Sequence, residues 1–460
     1  MLASKRKFSV VKAEDSELAR VAQGVPMGSF RQQLRSTRTQ FACGVVLTTI
    51  CILLAPLSGA SAQRGGGGGF GGGGGFGGRG FGGGFDQGGV PSPFGTGLRP
   101  VADSGEELAT YQAMVEEPNL ERRLLLSEEF LLSYPDSELR HLVIRTRWEA
   151  FRLNGDDSSL IEEATLGSEA EIDYFEAKTQ AIVNPGVLPQ FRAFEIAHFD
   201  ALTGYYQSLM EAYARRMDWI EAEEFGELAY DAEDRTWESY GREVDEDSDE
   251  YQSTAQSHRG VQVSMLQTMM AISQSADDAS GTIDYADRIL VLDPENLPTL
   301  MTAAQVMAEQ PADSDEGLVA NMERAEAYAS SAVANLENLL SNARPDQVAE
   351  PEAARLRFTV HSTLGLVHSR QLDYEGAERE YLLALDAVPG DATTYFRLGL
   401  TYANTNKADD AMSALARAAS IDPAFSAARQ TLEQVYVQVN GSLEGVDEFI
   451  ELEGQRLRTQ

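Results

Sequence analysis

The sequence predicts an all-α solenoid of stacked antiparallel helix pairs over residues 105–460, and three observations carry that prediction. Two stretches, 358–391 and 392–425, repeat each other at an offset of 34 residues: Leu364, Gly365, Ala377, Tyr381, Ala384 and Pro389 recur as Leu398, Gly399, Ala411, Leu415, Ala418 and Pro423. Breakers such as Asn154-Gly155 and Asn184-Pro185-Gly186 punctuate helical periodicity further upstream. No convincing run of alternating strands interrupts it.

The first element reads as an export signal. Phe41 to Leu57 is apolar and uncharged, follows Arg31, Arg35 and Arg38, and leads into Ala60-Ser61-Ala62, the small-x-small form of a signal-peptidase site. Residues 1–40 then form a basic leading segment and 41–62 the signal core and cleavage site, and a start at Met27 shortens the lead to a typical length. The expected product is an exported, periplasmic or cell-surface chain cleaved after Ala62. The rival is an uncleaved membrane anchor, for which about 17 residues is the lower limit of a spanning helix; membrane contact is expected only in that case. Cys43 and Cys51 both lie in this segment, so a cleaved chain has no cysteine and no disulfide, thiol or cysteine–metal chemistry. Neither sits in a lipoprotein box, since Ile50 is too large to precede Cys51, although Ala42 suits Cys43 at that one position.

Residues 63–104 form a glycine tract broken by Phe70, Phe76, Phe81 and Phe85, carrying Arg64 and Arg79, and running into Val90-Pro91-Ser92-Pro93. Such a composition buries too little surface to offset chain entropy, which predicts a disordered tether with a span of roughly 35 Å. The alternative gives the spaced Phe and Arg an adhesive role through aromatic and cationic contacts. No strand precedes the glycines and no Gly-Lys-Ser/Thr closes them, so they are not a phosphate loop.

The helical elements follow in order. Leu124 to Pro135, 138–153 and 168–183 are helical by spacing. Residues 203–236 place Leu209, Tyr213, Ala222 and Ala229 at the offsets of the clear repeats, but Met210 stands where those have glycine and Gly226 where they have a bulky residue. Ile283 to Pro294 reads as a helix closing in Leu-Asp-Pro, and Ala303, Ala304, Met307, Ala325 and Ala332 suggest a pair split by a polar insertion around 310–318. Next come the two clear repeats. In them the glycines mark the closest approach of the helices, the alanines keep the second helix narrow, Tyr381 and Leu415 fill the space left, and Pro389 and Pro423 stop the helices. His368 stands where Tyr402 stands one period later. Leu432, Tyr436 and Phe449 keep part of the pattern while Glu433 replaces the glycine, as suits a more polar terminal unit.

This period and pattern resemble the tetratricopeptide repeat, or TPR, family. The resemblance implies a right-handed solenoid of about eight to ten pairs and a non-catalytic surface for another protein. It also implies a concave groove lined by Ser362, Leu366, Ser369 and Arg370, by Phe396, Leu400, Ala403 and Asn404, and by Gln430, Gln434 and Gln438. Family members that clamp a carboxylate tail use lysine and asparagine where this chain has Ser362 and Leu366, so a peptide with apolar anchors and amide-satisfying polar groups is the expected occupant. Leu124 to Pro135, followed by Asp136 and Ser137, resembles the helix endings of TPR-like bacterial envelope proteins, including outer-membrane assembly lipoproteins.

Charge narrows the partners. The net charge is −35 although residues 1–62 carry eight Lys or Arg against three Asp or Glu, so the remainder is more acidic than the whole. Phosphates would be repelled, which argues against nucleic acid; a basic protein, or a surface bridged by divalent cations, would be attracted, and solubility alone accounts equally for the excess. Catalytic signatures are missing: there is no His-Glu-x-x-His, no Gly-x-Ser-x-Gly and no nucleotide fingerprint. His361 and His368 share a helix face but fall on core positions, and packing is their expected role. Glu243 to Glu250, with Asp245, Asp247 and Asp249, begins like a calcium loop, then fails at Glu250 and Gln256, where glycine and glutamate are due. No metal, cofactor or catalytic residue is expected.

These readings converge on an exported bacterial scaffold or adaptor holding a peptide or protein segment. The alternatives are a surface component assembled through the Gly/Phe tract and an envelope glycan-cleaving helical enzyme. Mass spectrometry of the mature chain is expected to find Gln63 at its N-terminus; an intact 41–57 segment would place the protein in the anchored class.

Overall fold

The computed structural model describes residues 98–154, 156–180, 189–241, 244–310, 315–342 and 349–459. The expectations for residues 1–97, including the signal, its cysteines and most of the tether, lie outside them, as does Glu243 of the acidic loop. The packed chain begins earlier than 105. Leu98 is buried against Phe191 and Phe194, and its carbonyl accepts a hydrogen bond from the Tyr174 hydroxyl at 2.8 Å.

Sixteen helices and no strand are found among the described residues. They are α1 (Gly105–Glu116), α2 (Leu120–Ser133), α3 (Arg140–Asn154), α4 (Asp157–Gln180), α5 (Pro189–Arg215), α6 (Trp219–Gly241), α7 (Asp249–Ser275), α8 (Ala279–Leu292), α9 (Leu297–Glu309), α10 (Asp315–Asn342), α11 (Glu350–Arg370), α12 (Tyr374–Ala387), α13 (Ala392–Asn404), α14 (Ala408–Ile421), α15 (Ser426–Asn440) and α16 (Val446–Thr459). From α1 to α15 each helix packs on the next, while α9 reaches α11, α11 reaches α13 and α14 reaches α16. This is the connectivity of a helical solenoid, in which a unit touches mainly its neighbours.

Unit size departs from the expected 34 residues upstream. Helices α5, α6 and α7 have 27, 23 and 27 residues, against 13 and 14 for α13 and α14. The apolar stripe of α5 starts at Phe191 and Phe194, well before the repeat pattern begins at 203. Helix α4 likewise starts at Asp157 rather than 168, because Asp156 accepts hydrogen bonds from the Ser158 and Ser159 amides and caps it. Gly167 does not break α4; the Tyr205 ring lies against it.

The repeat residues meet as expected. Ala377, Tyr381, Ala384, Ala411, Leu415 and Ala418 are all fully buried, and Leu364 and Leu398 nearly so. A Cβ on Gly365 would lie 2.7 Å from the Tyr381 ring, and one on Gly399 would lie 2.7 Å from Leu415 Cγ, so each glycine is required by its bulky partner. The anomaly at Met210 and Gly226 is an exchange of the two roles. A Cβ on Gly226 would lie 2.7 Å from Met269 Sδ of α7 and 3.1 Å from Met210 Sδ, so the gap sits on α6 and is filled by large side chains from both α7 and α5. Ala222, Ala229, Ala303, Ala304, Ala325 and Ala332 are buried, in keeping with their assignment to tight helix contacts. Pro389 and Pro423 lie just past the ends of α12 and α14 and are exposed.

Four turns within pairs share one geometry. Met217, Asp277, Leu372 and Asn406 each take a left-handed conformation, with φ of 62°, 57°, 65° and 59°. The next residue, Asp218, Asp278, Asp373 or Lys407, donates its amide to the carbonyl of Tyr213, Ser273, His368 or Tyr402, at 3.0, 2.9, 2.9 and 3.0 Å. This six-to-one bond satisfies a carbonyl that the ending helix leaves open. Asp278 and Asp373 then cap the following helix by accepting from the Gly281 and Gly376 amides.

The terminal helix α16 docks on α14 through charge. Glu453 is fully buried, accepts from Arg417 Nε at 3.0 Å and pairs with Arg456, while Gly454 lets the backbone approach Ser420.

Two outcomes are expected. Ala411→Glu should cost more than the ~1–3 kcal/mol of simple overpacking because it also buries an unpaired charge. Hydrogen exchange should then show protection lost in α13–α16 and fading toward α5, whereas Asp409→Ala and Asp410→Ala, both exposed in the first turn of α14, change little. Leu372→Gly, at an exposed left-handed position, should raise stability to urea by about 0.5–1 kcal/mol, while Leu372→Val should lower it.

Candidate partner-binding surface

The residues assigned to the groove lie on α11, α13 and α15, the first helices of the last three pairs, and the structure sorts them into three groups. Arg370, Asn404 and Gln438, one period apart near the helix ends, are all exposed, as is Gln430. Ser362, Ser369, Leu400, Ala403 and Gln434 are half-buried. Leu366 and Phe396, also expected to line the groove, are buried. Leu366 belongs to a core cluster with Val367 and Leu364, and Phe396 packs its ring on Phe425 at 5.0 Å and 58°. Both side chains fill the interior of the chain and have little surface left to offer a partner.

Local hydrogen bonds fix part of the polar row. Asn404 Nδ2 donates to the Leu400 carbonyl at 2.9 Å, and Ser362 Oγ to the Thr359 carbonyl at 3.1 Å. Arg397 of α13 lies 3.8 Å from Glu309 of α9. The half-buried Tyr402 ring carries Lys407 Nζ over it at 5.4 Å, and burial raises the Tyr402 phenol to about 12.

The histidines are distributed through the stack. His361 Nδ1 lies 2.8 Å from Glu380 of α12, and His368 Nδ1 lies 3.3 Å from Asp373 without hydrogen-bond geometry. Both are half-buried with separate partners, consistent with packing. His198 is buried flat on Phe175 with Nδ1 3.2 Å from Glu171, and His258 stacks on Trp237 with Nδ1 2.9 Å from Glu233. His141 stacks on Tyr174 at 3.9 Å and shares a hydrogen bond with the Glu138 carbonyl. The sequence reading missed this aromatic seam between α3, α4 and α5; its signal was the spacing of Phe191, Phe194 and His198 along one helix face. In the acidic loop, Asp245 Oδ1 accepts from the Asp247 amide and Ser248 caps α7, so the loop's own turns use those groups. Among the described residues no three His, Asp or Glu side chains gather as a metal site.

No family model and no curated protein matches the sequence. Several solved structures resemble it at low similarity. TTC0263, a thermophilic TPR protein of Thermus thermophilus, is 14% identical over 50% of this chain and 99% of its own, with a TM-score of 0.32. MamA is 19% identical over 42% and 95%, with a TM-score of 0.30. The Cut9–Hcn1 assembly of the APC/C is 13% identical over 72% and 56%, with a TM-score of 0.31. The architecture itself rests on the helices and turns described above, which are consistent with a TPR-family protein.

Burial lowers the His141 pKa below its usual 6.5, against the raising pull of Glu171. The unfolded chain therefore binds this proton more readily than the folded one. The contribution is fully present above pH 6.5 and is lost as the pH falls below it. The melting temperature should drop between pH 7 and pH 5, and His141→Phe, which keeps a ring on Tyr174, should flatten part of that drop. Phe396→Ala should cost about 3–5 kcal/mol; an unchanged melting temperature would contradict its burial.

Proposed function

We propose that this chain is an exported, non-catalytic adaptor of the bacterial cell envelope that holds a peptide or protein segment on its C-terminal helix pairs. The observation that carries the reading is the row Arg370, Asn404 and Gln438. Three successive units place a polar, exposed side chain at the same repeat position while the leucines and alanines of the repeat pattern are buried. Flanked by the half-buried Ser369, Leu400, Ala403 and Gln434, this row offers amide and guanidinium groups beside modest apolar surface. That combination fits an extended or helical segment that needs its backbone polar groups satisfied. Export is supported by the order of basic, apolar and small residues ending at Ala62.

Photo-crosslinking in cells tests this. A crosslinker at position 404 or 438 is expected to give discrete adducts, and one at Leu383, exposed on α12, to give none. Asn404→Ala with Gln438→Ala should reduce those adducts while leaving helical content and melting temperature nearly unchanged, since both are surface changes. Equal adducts from position 383 would place the surface elsewhere, and fractionation of the adducts with cytoplasmic markers would remove the envelope assignment.

A further inference from the structure

Residues 98–104 precede α1 without forming a helix, and they run back across several elements. Leu98 is buried on Phe191 and Phe194 of α5, beside Tyr174 and Phe175 of α4. Its carbonyl accepts from the Tyr174 hydroxyl at 2.8 Å. Three residues on, the Val101 amide donates at 2.9 Å to Glu138 Oε2 at the entry to α3, and Lys178 of α4 holds the same oxygen at 2.7 Å. Ala102 packs on the cluster of Met114, Phe130, Leu139 and Val143. The Asp103 amide donates to the buried Glu107 of α1. A solenoid unit ordinarily touches only its neighbours, so a segment fixed to α5, α4, the entry to α3 and α1 in turn acts as a clasp.

Tyr174 and Glu138, which hold the clasp, are both attached to one histidine. The His141 ring lies flat on Tyr174 at 3.9 Å and 15°. Its Nδ1 is 2.8 Å from the Glu138 carbonyl; a carbonyl only accepts, so Nδ1 carries the hydrogen and a second proton must enter at Nε2. His141 is 6% exposed, and burial opposes that second charge. Arg145 of α3 opposes it too, while Glu171 of α4 and Glu138 favour it. From α4, Lys178 already sets one cation 5.6 Å from the Tyr174 ring. From α5, His198 holds Glu171 at 3.2 Å, so that carboxylate serves two imidazoles. A charged His141 therefore gains more from water than from this seam.

We propose that residues 98–104 are an acid-released clasp: protonation of His141 loosens Tyr174 and Glu138 together, and Leu98 leaves α5, uncovering Phe191 and Phe194. The clasp is the part of the seam that gives way first. Two side-chain hydrogen bonds and one leucine hold its first residues, whereas α3, α4 and α5 are continuous helices whose backbones are bonded internally. Burial sets the direction. The closed state is favoured above pH 6.5, the ordinary histidine value, and loses ground as the pH falls below it. The device uses helices distinct from those of the proposed C-terminal surface, and it makes an aromatic patch on α5 conditional on pH.

The test is hydrogen exchange of the full chain at pH 7 and pH 5, with each amide corrected for its intrinsic exchange rate. Protection at Val101 and Asp103 is expected to fall severalfold at pH 5 while α4, α5 and α13 keep theirs. His141→Phe keeps a ring on Tyr174 and should abolish the fall. Tyr174→Phe removes the bond to Leu98 and should lower protection at Val101 already at pH 7, which tests the clasp even if the His141 variant folds poorly. Unchanged protection at pH 5, the same fall in the His141 variant, unaltered protection in the Tyr174 variant, or a loss shared across α4 and α5 would each overturn the proposal.

Discussion

The stack depends on one contact repeated with variations: a side chain large enough to fill a helix crossing, set against a position too small to resist it. Gly365 under Tyr381 and Gly399 under Leu415 are the direct form, with the gap on the first helix and the bulk on the second. Met210 over Gly226 reverses the roles at a looser 3.1 Å, and the tight contact there is made by Met269 at 2.7 Å. Helix crossings tolerate either arrangement because what matters physically is the filled volume at the crossing, not the identity of the helix that supplies it. Where the exchange occurs, a third helix enters as well, since Met269 also fills the space above Gly226. The units are thereby joined to each other by the same volume that joins each pair.

How much of this was legible in the sequence follows from how local each signal is. The α12 and α14 ends, the buried alanines and the Leu-Asp-Pro stop of α8 were readable because each rests on residues within one unit. The exchange at 210 and 226 was visible only as an anomaly, since one sequence shows that two positions break a rule without showing that they touch. Helix length was the main miss. A 34-residue template hides the extra turns of α5, α6 and α7, which pack through Phe191, Phe194 and His198 on α5 and through Trp237 on His258 between α6 and α7. In the candidate surface, residues 370, 404 and 438 were placed by the resemblance to the TPR family, and all three are exposed. Burial of Phe396 was not legible, because its neighbour Phe425, which precedes α15, carries no repeat signature.

The acidic composition has an internal counterpart. Four of the buried carboxylates each meet an arginine or histidine from an adjoining helix: Glu163 with Arg147, Glu171 with His198, Glu233 with His258, Glu453 with Arg417. Such pairs add little net stability because desolvation offsets the attraction. Their effect is on register, since a slipped helix would leave a carboxylate buried without its partner. In a stack whose crossings are made from interchangeable apolar volumes, these polar pairs distinguish one alignment from its neighbours.

The four left-handed turns bear on how the chain reaches this state. Each closes a helix hairpin through a bond spanning six residues, and each hairpin then packs on the one before it. Contact order is therefore low along much of the solenoid, and loop closure costs little entropy at any step. A chain delivered end-first, as in synthesis or passage through a membrane channel, presents its hairpins in the order in which their docking surfaces become available. Folding then proceeds as accretion, and the length of unpacked chain exposed to solvent at any moment is about one unit.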